Sequence, residues 1–173
     1  ASGDPAALAV GSNTYVLTSD GTDSAWAAAG GGGGLLQLKT VVKTDVFAST
    51  SSSLIDVTGL TIAITPTESD SKILVLVDYK GSVGISGSVT GEVKLLRGAS
   101  TIWNLGDVGT SANAFLTSAG GMFLDNPATT SETTYKIQGK GDGATWCCNR
   151  SQDNTNVRGN SSITVIEIAA GVL

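Results

Sequence analysis

Apolar and polar residues alternate along most of this chain with the two-residue period of a half-buried strand. "SLIDVTGLTIAITP" sets Leu60, Ile62 and Ile64 on one face against Thr61, Ala63 and Thr65 on the other. "LLQLKTVVKTDVF" before it is also strand-like. "SKILVLVDYKG" is apolar on both faces from Ile73 to Val77, the pattern of a strand covered on each side. "GEVKLLRGASTIWNLGD" predicts a hairpin turning at Arg97-Gly98-Ala99-Ser100, and "TSETTYKIQGKGDGATWCCNRS" predicts a second through "GKGDG". Between them "NAFLTSAGGMFLDNP" adds a strand that ends at an Asn126-Pro127 turn. The loop "QDNTNVRGN" then leads into "SSITVIEIAA", an apolar last strand expected to lie centrally. About eight strands with polar turns between them predict an all-β domain, a sandwich or jelly roll. No repeat and no helical period competes with this, apart from a short alanine run at Ala27–Ala29.

Residues 1–34 follow a different rule. They are small and polar, with one short strand at Tyr15–Thr18, an Asp20-Gly21 turn, and then Trp26. Leu8, Val10, Tyr15, Val16, Leu17 and Trp26 are too few large apolar groups to offset the entropy of ordering the segment. It is therefore expected to be disordered or to bury those residues against a partner. Five glycines, Gly30–Gly34, close it. Such a run suits either a flexible linker or a joint where backbones approach closely. Both place a boundary there, giving an N-terminal segment of residues 1–34 and a β domain of residues 35–173.

Composition narrows the chemistry. The 173 residues carry a net charge of −5, and basic residues are not clustered, so nucleic acid is not an expected ligand. Histidine is absent, which removes Ser-His-Asp and Cys-His arrangements and most zinc sites. Cys147 and Cys148 are adjacent, so in a strand they point to opposite faces, and two free thiols with one in the core are expected. No run of apolar residues is long enough to span a membrane, and the start "ASGDPAALAV" lacks the basic region of a secretory leader. The absence of an initiating Met leads to the expectation of a fragment, or of residues preceding Ala1.

The phrase "VGSNTYVLTSDGTDSAWAAAGGGGG" resembles a segment of the tail-fibre and other virion fibre proteins of tailed bacteriophages, especially those of marine bacteria. "VTGLTIAITPTESDSKILVLVDYKG", "VKLLRG", "FLDNPATTSETTYKIQ", "NRS" and "SSITVIEIAA" are similar to the C-terminal domain of the same family, in the same order. The resemblance implies a homotrimer with a TNF/C1q-like jelly-roll head and a short, extended, intertwined N-terminal stem. It further implies a place in the virion, on tail or capsid, with assembly in the bacterial cytoplasm and other virion proteins at the N-terminal end. In such a stem Val16, Leu17 and Trp26 are the candidate contacts between copies.

Binding, rather than catalysis, is the expected use of the head, and no cofactor or metal is called for. Its acidic residues stand mostly beside Gly, Ser, Asn or Thr, where they serve turns, and no pair has the setting of a glycosidase. "GKGDG" and "SQDNTN" match no calcium loop. Between Gly139 and Asn160, Trp146, Asn149, Arg150, Asp153, Asn154, Asn156 and Arg158 combine an aromatic ring with amide and guanidinium groups, a mixture suited to a sugar. Trp103 is a second candidate. The plainer reading makes both tryptophans core or trimer-interface residues, because a sandwich with few aromatics tends to bury them. The expected function is attachment to a bacterial surface glycan or protein. The alternative is a capsid- or tail-associated decoration protein that never touches the host.

Overall fold

The computed structural model describes residues 15–19, 24–28, 34–84, 91–108, 115–152 and 154–172. The chain divides into two compact units, Ala1–Gly34 and Leu35–Leu173. In the first, β1 (Tyr15–Ser19) and β2 (Ser24–Ala28) pair antiparallel, with Val16 opposite Ala27 and Leu17 opposite Trp26. Leu17 is 55% exposed and Trp26 38%. An isolated two-stranded ribbon is marginal in water, and this one leaves more than half of Leu17 and more than a third of Trp26 exposed. The predicted Asp20-Gly21 turn and most of the glycine run lie outside the described residues.

The second unit is a sandwich of ten strands: β3 (Leu35–Lys43), β4 (Phe47–Ser49), β5 (Ile55–Ile64), β6 (Lys72–Val83), β7 (Gly91–Arg97), β8 (Ser100–Asp107), β9 (Thr117–Asp125), β10 (Thr133–Gly141), β11 (Trp146–Cys148) and β12 (Ser161–Ile168). One sheet has the order β5-β10-β7-β8; the other holds β3, β12, β6, β11 and β4, with β9 on the free side of β6. β4 pairs β11 just as β3 pairs β12, so β3/β4 and β11/β12 are each one row broken by a loop. Ten strands less these two continuations leave eight rows. Numbered along the chain, they run 1-8-3-6 in one sheet and 2-7-4-5 in the other. That crossing order is the double Greek key of a jelly roll. The last strand lies between β3 and β6, inside its sheet.

The core is made by the inward residues of both sheets. Ile73, Val75 and Tyr79 from β6, Ile163 and Val165 from β12, and Tyr135 and Ile137 from β10 are all fully buried. Each such side chain contributes about 1.5–3 kcal/mol. β10 alternates strictly between buried and half-buried positions, as its sequence does. Among the described residues no helix is long and apolar enough to cross a membrane.

The hairpin expected through "GKGDG" does not form. β10 pairs with β5 and β7 in one sheet, whereas β11 pairs with β4 and β6 in the other, so this turn crosses the sandwich. Trp146 is the reason. Its ring lies over Gly139 and Gly141 of β10, where a Cβ would stand 2.7 Å from Cη2 and 2.9 Å from Cδ1. Two glycines on the inner face of one sheet thus make the room that a tryptophan from the other fills.

Candidate functional site

Both row breaks, at Thr44–Val46 and at residues 149–160, lie side by side within one sheet, between the β3/β12 and the β4/β11 pairings, and a single residue closes them. Asn149 adopts φ 64°, a left-handed conformation that Asn tolerates better than most residues. Its Nδ2 donates to Lys43 O at 2.7 Å and to Asp45 O at 3.0 Å, and its Oδ1 accepts from Ser161 Oγ at 2.6 Å. Its backbone N–H donates to Lys80 O, and its carbonyl accepts from Gly159 N–H. Asn149 is fully buried. It is the root of the loop and offers nothing to a ligand, although its sequence context suits a receptor contact.

Above this clamp the loop folds on itself. The backbones of Arg150 and Arg158 pair antiparallel across it. Arg150 is half-buried, with Nε on Cys147 Sγ at 3.4 Å and Nη2 on Gln152 Oε1 at 3.3 Å. Arg158, Asn154, Asn156 and Asn160 are exposed, with Val157 among them. Asp153 lies outside the described residues. The predicted cluster is therefore split. Arg158 and two amides face solvent, Arg150 braces the loop, and Asn149 and Trp146 are interior. Trp146 is fully buried and tilted against Phe47 at 5.3 Å, so it has no face to stack on a surface sugar. Trp103, half-buried on β8, stacks on Phe123 of β9 at 6.1 Å and closes one open side of the sandwich.

Electrostatics favour charge holding over proton transfer. Hydrogen bonding from Gln138, then from Lys136, lowers the Asp56 pKa, and Lys94 does the same to Glu92. Burial pushes Glu167 upward, but hydrogen bonds from Thr67 and Gln37 outweigh it and the net shift is downward. Burial raises the Cys148 thiol to about 11, so it is neither thiolate nor nucleophile near neutrality. Among the described residues no three His, Cys, Asp or Glu side chains gather to hold a metal ion.

A second surface escaped the sequence reading. On the outer face of the β3-β12-β6-β9 sheet, Leu38, Ile166, Leu74 and Leu124 stand opposite one another in a straight line across all four rows. Thr40, Thr164, Leu76 and Met122 make the next line. Leu38 is 57% exposed, Met122 70% and Leu124 48%. The doubly apolar pattern of β6 is the signal, but the described residues of the head do not provide the cover it predicts on this side. Apolar bands of this kind mark association surfaces.

No family model and no curated protein matches the sequence. Among solved structures the chain is similar to the VP2 subviral particle of infectious bursal disease virus, with a TM-score of 0.43 at 12% identity, over 90% of this chain and 42% of that one. The Gt strain of the same virus gives 0.44 at 10% identity, over 90% and 41%. The chain thus spans about two fifths of the structures it matches. At this level of likeness the jelly-roll assignment rests on the strand order alone.

Proposed function

We propose that the chain is a structural protein of a phage virion, a fibre component whose TNF/C1q-like head assembles as a homotrimer and attaches the particle to a bacterial surface glycan or protein. The observation that carries this reading is the apolar line Leu38–Ile166–Leu74–Leu124, exposed at Leu38 and Leu124 and half-buried between them, which has the character of a contact between copies. The exposed Leu17 and Trp26 of the N-terminal ribbon have the same need. The phage context comes from the resemblance of the sequence. Attachment falls to the Asn149 loop, where Arg158, Asn154 and Asn156 are presented on a clamped base. Repeated weak sites on one rigid assembly gain strength through effective concentration.

Light scattering on the purified full chain at micromolar concentration is expected to give three times the monomer mass. A Leu38→Glu/Leu124→Glu variant is expected to be monomeric with an unchanged β spectrum. A wild-type chain that stays monomeric up to about 100 µM (about −5.5 kcal/mol for each copy added) removes the reading. For attachment, the assembled protein is expected to compete with phage adsorption to host cells. Failure to do so at saturating concentration favours the decoration alternative.

A further inference from the structure

At the end of the sandwich away from the Asn149 loop, a cleft of about 350 Å³ opens between the β7–β8 turn and the β9–β10 connection. This is the end at which β3 begins, since Leu35 aligns with Ile168 and Lys72, one residue from the Ile73–Asp125 pair. Its walls include Arg97, Pro127, Thr129, Glu132 and Thr134. We propose that this cleft is a binding site for a neutral sugar unit.

Three features carry the assignment. First, the guanidinium is fixed before any ligand arrives. Nη1 donates to Asp125 Oδ1 at 2.8 Å, Oδ2 at 2.9 Å and Asn126 O at 3.1 Å, and Asp125 also accepts from the buried Tyr135 hydroxyl at 2.6 Å. All three bonds fall on one nitrogen, so Nη2 and Nε have no hydrogen bond among the described residues. Second, the wall is conformationally unusual. Ala128, between Pro127 and Thr129, has φ 52°, where a side chain bearing Cβ is disfavoured, and such strain gathers at ligand sites. Third, the charges select the ligand. Asp125 already neutralises Arg97, while Glu132 is exposed and has no ion pair among the described residues. The cleft is therefore net negative and repels an anion. Neighbouring hydroxyls of a neutral sugar instead accept from the guanidinium and donate to Glu132, with the Thr129 hydroxyl beside them and Pro127 as an apolar floor. The volume lies at the small end of ligand clefts, about 300–1,000 Å³, which suits one sugar unit.

The inference goes beyond the attachment reading, which assigns host contact to the Asn149 loop away from this cleft, and it is tested separately. Saturation-transfer NMR on the full chain is run with glucose, galactose, N-acetylglucosamine and galacturonate. At least one neutral sugar is expected to saturate, with galacturonate weaker. Glu132→Gln, outside the buried network, is expected to weaken that sugar at least tenfold with the thermal midpoint unchanged, and Thr129→Val, which also removes the acceptor of the Ser131 N–H at 3.0 Å, is expected to weaken it as well. The inference is overturned if no neutral sugar saturates, if galacturonate binds best and Glu132→Gln strengthens it, or if neither variant changes binding. Host-cell adsorption in parallel separates the two ideas. Adsorption retained without sugar binding sinks the cleft alone, whereas sugar binding without adsorption supports the cleft and sinks the attachment reading.

Discussion

Taking away the Asn149 side chain strips a donor from Lys43 O and Asp45 O and an acceptor from Ser161 Oγ. Each buried group left unpaired costs about 1–3 kcal/mol. An alanine forced into φ 64° adds about 1–2 kcal/mol. Asn149→Ala is therefore expected to lose about 3 kcal/mol or more in urea unfolding. Asn149→Gly should recover about 1 kcal/mol of that loss, because it relieves the backbone but not the hydrogen bonds. Equal losses in the two variants would show that the left-handed geometry carries no penalty here. Glu167 is a residue-scale case governed by pH. It is buried beneath the β5–β6 connection and accepts from Thr67 N at 2.7 Å, Thr67 Oγ1 at 2.8 Å and Gln37 Nε2 at 2.6 Å. Its folded pKa lies below the ordinary 4.5. The folded state thus binds fewer protons than the unfolded one, so this stability is present above pH 4.5 and lost as pH falls through the folded value. Acid titrations of unfolding should show a shallower decline for Glu167→Gln than for wild type, and identical slopes would contradict this.

For the elements, period and pairing were unequally readable. Strand positions follow from alternation, because Tyr135, Ile137 and their neighbours must share one face. The Arg97–Ser100 hairpin follows from local turn chemistry and forms as expected. Sheet membership does not follow, since it depends on contacts far apart in sequence. β10 meets β5 and β7, and β11 leaves for the other sheet, because of volume that no local pattern shows. The trace in the sequence is the pair Gly139 and Gly141, both inward and both under Trp146. The same blindness made Trp146 and Asn149 readable as surface groups. Gly139→Ala is expected to cost about 1–3 kcal/mol by overpacking against the indole. The loss should be smaller in a Trp146→Phe background, which a double-mutant cycle measures directly. Additive losses would mean that the ring is not the obstacle.

At the scale of the whole molecule, the contrast is between a modest net charge of −5 and an apolar line across an outer sheet face. Association through Leu38, Leu74, Leu124 and Ile166 should not depend on ionic attraction. Raising salt from about 0.05 to 1 M, which shortens the screening length to about 3 Å, is expected to leave the assembled mass unchanged or increase it. Dissociation at high salt would place the contact on charged residues instead. The line itself needed the register of four non-adjacent rows before it could be seen. Only the apolar character of both β6 faces announced it beforehand.

The clamp at Asn149 has a bearing on how such a head can diversify. It ties both interrupted rows together beneath the residue 150–158 excursion, so the sheet is already sealed before that excursion begins. Genetic drift is thereby free to lengthen, shorten or rewrite the exposed segment without a matching change in the interior. A lineage with this architecture can rewrite the segment it presents while inheriting the frame intact.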